Sequence, residues 1–169
     1  PHPPSVGGEQ TFHLYPYGVA KAKALLTEAG FPNGCSVKFL YRPTSASSLK
    51  GFQTAQQDLS KAGIKVVGVP SPSADFYNKY LTVPSVAQRG VWDLSLAGWG
   101  ADWYGNAALS FFNPLFSGKP SFPPVASNFG LYDSPVTNTA ITAAANASTK
   151  AEAKTPWAKA DRAGRAEAR

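Results

Sequence analysis

One carboxylate set among aromatic rings is the arrangement in this chain best suited to chemistry. Between Leu94 and Tyr104 the sequence reads Leu-Ser-Leu-Ala-Gly-Trp-Gly-Ala-Asp-Trp-Tyr. Asp102 is the acid of that run, and Trp99, Trp103 and Tyr104 surround it. Rings lower the local dielectric and present electron-rich faces, while the acid supplies a formal charge, so together they suit an ammonium or another cation. Two plainer readings use the same residue types. The rings could pack in the core beneath an ordinary turn, or Asp102 could cap that turn through backbone N–H groups, as Asx residues do. Gly98 and Gly100 interrupt the apolar run ahead of the acid, so a strand ends in a Gly-rich loop. Loops of that kind carry a large share of binding residues.

Other chemistries find little support. The histidines, His2 and His13, both lie in a Pro/Gly-rich arm, and no Gly-x-Ser-x-Gly elbow is present, which leaves no serine–histidine hydrolase pattern and no catalytic residue to nominate. Asp93, Asp102 and Asp133 lack His or Cys companions, so no metal site is expected. Gly98–Gly105 does not fit the dinucleotide fingerprint, because Trp99 and Trp103 would block a phosphate from the backbone. The P-loop pattern is absent, and no cofactor is expected. Binding remains.

The elements that must position this loop can be read from the hydrophobic pattern. Residues 1–18, with Pro1, Pro3, Pro4, Gly7, Gly8 and Tyr15-Pro16-Tyr17-Gly18, predict an extended arm. Ala22, Leu25, Leu26 and Ala29 recur at helical spacing, Lys21 and Lys23 face outward, and Gly30 terminates the helix. Ser36–Tyr41 alternates as a strand, residues 45–62 predict a helix with Leu49, Phe52, Leu59 and Ala62 on one stripe, and Ile64–Val69 is a second strand. A β–α–β order with a helical crossover requires the two strands to be parallel. Ser73 is placed to cap a short helix bearing Asp75, Phe76, Tyr77 and Tyr80. A loop with Pro84, Arg89 and Gly90 follows, and Trp92–Gly98 alternates as the strand that delivers the chain to Asp102. Ala107–Phe116 predicts a buried apolar helix, and Pro135 starts another running toward Ala147. The last piece, Glu152–Arg165, is Ala-rich with Trp157 as its one large apolar side chain, and is expected to be weakly held.

The bulk numbers bound the possibilities. The chain has 169 residues and a net charge of +6, with 15% charged residues, 15 Gly, 15 Pro and no Met. That length suffices for one sizeable core, and the low charge argues for ordered rather than disordered loops. No apolar run approaches the roughly 18 residues of a membrane span. With no initiator Met and no signal sequence, the chain reads as a processed or excised segment. Cys35 stands alone, which excludes an internal disulfide and fits a half-buried structural thiol. Half of the positive excess lies in the last twenty residues, but the bases there are dispersed and lack stacking aromatics, so a solvated helix face is expected and nucleic acid is not.

At the Asp102 loop the sequence resembles a known class. Tyr15-Pro16-Tyr17, Ala20–Leu26, Glu28–Gly34, Asp58–Val66, Trp92-Asp93-Leu94, Gly98–Asp102, Asn128–Tyr132, and Trp157 with Ala160-Asp161 occur in the order and spacing of the peptide/nickel-type (family 5) extracytoplasmic solute-binding proteins of ABC transporters. The Ala-rich, basic composition is similar to that of an actinobacterial member. The resemblance implies an α/β fold, a periplasmic-binding-protein-like type II lobe with a mixed sheet and flanking helices. Residues 1–149 would form the second lobe of a larger receptor, and residues 150–169 would begin the return to a first lobe. It also implies an oligopeptide or other small solute as ligand, an ABC permease as partner, and an extracytoplasmic location, as a cell-surface lipoprotein or a secreted protein.

In peptide-binding members the acid matching Asp102 pairs with the ligand's amino group, and the tryptophan matching Trp99 lines a side-chain pocket; Gly100, Trp103 and Tyr104 complete the expected ligand-binding set. Gly18 replaces the usual Asp before the first helix, which removes a capping side chain. Leu96 stands where some receptors carry an arginine for a peptide carboxylate. Pro156 and Gly164 interrupt the family's terminal helix. The expected function is a binding lobe with no enzymatic activity, binding-deficient when isolated. A different class remains open: an independent secreted module, a protein-binding domain or inhibitor, using the aromatic loop.

Overall fold

Two runs rich in β-branched and aromatic residues, Cys35–Tyr41 (β1) and Ile64–Pro70 (β2), lie side by side in the computed structural model, parallel and in register from Cys35 against Ile64 to Tyr41 against Pro70. The structure describes residues 15–100, 102 and 106–167. The chain divides into two units, each packed on itself. Pro16–Ala97 is here called the sheet unit, and the helical unit follows from Gly98 onward.

In the sheet unit the helices are α1 (Val19–Glu28), α2 (Ala46–Lys61), α3 (Ser73–Asp75) and α4 (Pro84–Gln88). A short third strand, β3 (Leu94–Ser95), completes the order β2-β1-β3. All three described strands are parallel, as a helical crossover demands, and the described residues include no antiparallel pair of the kind a mixed sheet would add. Phe39, Phe52 and Val66 form the buried centre, where Phe52 of α2 stacks on Tyr41 at 4.3 Å and 10°. Only glycine fits at Gly34, whose φ is +82°: a Cβ there would collide with the carbonyl of Gly63.

Several expectations need correction in this unit. The strand predicted over Trp92–Gly98 shortens to two residues. Before it, the Asp93 carboxylate takes the Lys38 N–H at 2.7 Å and the Asp93 N–H bonds the Lys38 carbonyl at 2.9 Å, so a side chain replaces one ladder bond. Leu94 and Leu96 stay 38% and 46% exposed. The loop expected around Pro84 contains α4, which starts on a first-turn proline and ends before Gly90 at φ +65°. Ser73 is not a cap: Pro72 holds that position, and the chain continues from α3 into a π-helical turn, Phe76–Leu81. Helix α1 forms with Gly18 as its uncapped start, but its apolar stripe is not buried, and Leu25 remains 50% exposed. Residues 1–14 of the expected arm lie outside the described residues.

The helical unit contains α5 (Ala108–Phe116), a 3₁₀ turn at Lys119–Ser121, α6 (Pro135–Ala145) and α7 (Lys150–Glu167). Ser134 caps α6 by accepting the Thr137 N–H, one position ahead of Pro135. Alanines at 140, 144, 153 and 160 let α6 and α7 approach closely around Phe111, Phe112, Ile141 and Trp157. The terminal helix is therefore not weakly held. Trp157 is 2% exposed, stacks on Phe112 at 5.3 Å and donates its indole N–H to Asn106 Oδ1 at 2.7 Å. Thr149 and Glu152 cap its start, and Arg165 pairs at 2.8 Å with the buried Asp161 one turn earlier. Pro156 sits inside this helix without ending it.

Candidate functional site

The expected binding loop opens the helical unit, and one residue of α5 organises it. A helical carbonyl normally accepts the N–H four residues on, and four residues after Ser110 stands Pro114, inside α5, with no N–H to give. The Ser110 carbonyl is thereby released from the helix, and the Trp99 indole N–H takes it at 2.7 Å. The Ser110 hydroxyl donates to the Ala107 carbonyl at 2.8 Å and accepts the Asp102 backbone N–H at 3.3 Å. Ser110 is 2% exposed, so all three bonds are sheltered at its end.

With this bonding the side chains of Trp99 and Asp102 stand open to solvent. Trp99 has its polar edge occupied while 39% of the residue is exposed, offering a ring face rather than an N–H to a ligand. Asp102 is exposed, and no described residue pairs with its carboxylate. Nor does it cap α5: the residue before that helix is Ala107, with no side-chain cap. Gly98 and Gly100 have nothing within 4 Å of where a Cβ would stand, so neither glycine is required by close packing. Trp103 and Tyr104 lie outside the described residues, so their part in the predicted ring cluster is not described. Among the described residues no three acidic, His or Cys side chains cluster to hold a metal ion, and no helix is long and apolar enough to cross a membrane.

Sequence reasoning missed a second polar group, in the sheet unit. Arg42 follows β1 directly, at the carboxyl end of a parallel strand, where α/β sheets commonly bind ligands. Its backbone N–H is held by the buried Ser48 hydroxyl at 3.0 Å. Its guanidinium carbon lies 4.7 Å from the Phe76 ring centroid and 5.6 Å from that of Tyr77, and its buried Nε has no partner among the described residues. A guanidinium oriented by rings is a planar cation of the kind that pairs with carboxylates, although its unpartnered Nε is itself buried. The legible signal was Arg-Pro immediately after an alternating strand and ahead of a crossover helix.

The family description "Bacterial extracellular solute-binding proteins, family 5 Middle" matches residues 1–123. The glutathione-binding protein GsiB of Pectobacterium atrosepticum is 33% identical over 160 residues, which cover 92% of this chain and 29% of that protein. Among solved structures, the clavulanic acid biosynthesis oligopeptide binding protein 2 superposes with a TM-score of 0.84 at 22% identity, over 96% of this chain and 30% of that one. The periplasmic binding protein DppA from Helicobacter pylori, solved with the peptide STSA, superposes with a TM-score of 0.77 at 26% identity, covering 95% and 30%. The α/β fold is that of periplasmic binding proteins, and the chain spans less than a third of the length of each of these three proteins.

Proposed function

The chain belongs to the bacterial extracellular solute-binding proteins of family 5, and on that premise we propose that it is a ligand-binding lobe of a receptor delivering short peptides to an ABC importer. Membership in a family of solute-binding proteins assigns it recognition rather than a reaction. The observation that carries the reading is Ser110, which holds both the backbone of Asp102, an exposed carboxylate, and the indole of the part-exposed Trp99. The peptide α-ammonium pairs with Asp102, and the Trp99 face covers the adjacent apolar side chain. Gly100, Trp103 and Tyr104 belong to the proposed lining. In the sheet unit, Arg42 has the chemistry to hold a solute carboxylate.

What the relatives bind supports this class of ligand. GsiB is named for glutathione, a peptide-like thiol with a free ammonium and carboxylates, and the Helicobacter pylori protein holds the peptide STSA. In the proposed receptor, residues 1–149 form the second lobe and residues 150–169 begin the return to a first lobe. The receptor works outside the cytoplasm, secreted or lipid-anchored, and passes its cargo to a permease.

The test is calorimetric titration of the full-length protein with trialanine and with N-acetyl-trialanine. The free amine is expected to bind at least tenfold more tightly. Equal affinities, or specific capture of a protein partner with no peptide binding, would overturn the reading in favour of an independent secreted module.

A further inference from the structure

We infer that Ser110 is the positioning residue of the binding loop, acting with Pro114 as a clamp that sets Trp99 and Asp102 separately. The inference rests on the reading of Asp102 and Trp99 as ligand-binding residues and adds how they are held. Two different atoms of one buried residue do the work. The hydroxyl serves the Asp102 backbone, and the carbonyl serves the Trp99 indole. The carbonyl is available because Pro114 cannot donate to it. The hydroxyl is oriented because it donates to the Ala107 carbonyl, which leaves its lone pairs facing the Asp102 N–H.

A purely structural Ser110 would affect stability and all ligands alike; a clamp of this design predicts that the two halves separate. Ser110→Ala removes the hydroxyl and keeps the carbonyl, so it frees Asp102 and leaves Trp99 tethered. Pro114→Ala restores an N–H that shares the Ser110 carbonyl, so it weakens the bond to the Trp99 indole and loosens Trp99. That second substitution removes a helix-breaking residue from α5, so local loss of folding does not explain an effect on binding.

The experiment uses the full-length protein with trialanine and N-acetyl-trialanine as probes, together with hydrogen exchange of the Asp102 amide and the Trp99 indole N–H. In Ser110→Ala the preference for the free amine is expected to fall three- to tenfold, with faster exchange at the Asp102 amide and unchanged exchange at Trp99. In Pro114→Ala the Trp99 indole is expected to exchange faster, and affinity for both probes to fall by similar factors. The inference is overturned if Ser110→Ala leaves the amine preference and Asp102 exchange unchanged, or lowers both affinities in parallel. Should the unaltered protein show no amine preference, the ligand reading fails by itself. The two exchange rates then still decide whether Ser110 holds the loop.

Discussion

Asp102 is worth little to a ligand while it stands open to water. An exposed carboxylate–ammonium pair contributes about 0.2–1 kcal/mol, screened by salt, whereas the same pair desolvated and hydrogen-bonded costs about 2–5 kcal/mol when one partner is truncated. Affinity at this residue therefore depends on what encloses it once a ligand is bound. The acid and its neighbouring ring were legible from residue types. The hydroxyl and carbonyl of Ser110 were not, because no pattern marks a carbonyl released by a proline four residues away unless the helix is already known. Backbone geometry makes an equally local demand at Gly34. Gly34→Ala is expected to destabilise the sheet unit by about 2 kcal/mol or more, since a side chain there meets both a left-handed φ and the Gly63 carbonyl. Urea denaturation would measure it, and an unchanged midpoint would show that the Gly34–Gly63 approach is dispensable.

The elements divide by how much of their stability comes from long-range packing. Strands β1 and β2 and helix α2 were readable because alternation and a 3.6-residue stripe coincide with burial there: Phe39, Phe52 and Val66 are all in the core. The apolar stripe of α1 gave the helix correctly but not its burial. The strand over Trp92–Gly98 starts late for a different reason: the Asp93 carboxylate takes the Lys38 N–H that a strand would bond with a backbone carbonyl. Helix α7 reverses the usual lesson. Its composition looks too poor in large apolar groups to stay down, yet small alanines permit close approach and Trp157 fills the space between. Trp157→Ala is expected to cost about 3–5 kcal/mol, with the Asn106 amide left unanswered as well. Trp157→Phe keeps the ring stack on Phe112 and should cost less. Denaturant unfolding followed by circular dichroism distinguishes the two, and equal effects would mean that packing against Phe112 contributes nothing.

For the whole molecule, the family and the fold were both accessible from ordered motifs spread along the chain, while the ligand was not, because on the proposed two-lobed reading these residues supply only one side of the enclosing surface. The chain spans 29% of the glutathione-binding relative. On the proposed reading the isolated chain binds peptides weakly, and sub-micromolar binding of a tri- to pentapeptide pool by the chain alone would contradict a two-lobed receptor. The most direct measurement concerns the amine. Trialanine and N-acetyl-trialanine are titrated into the full-length protein and into its Asp102→Asn variant. The substitution is expected to weaken trialanine at least tenfold, to leave the acetylated peptide nearly unchanged, and so to abolish the preference between them. A preference that survives Asp102→Asn intact would contradict the assignment of Asp102 as the ammonium anchor.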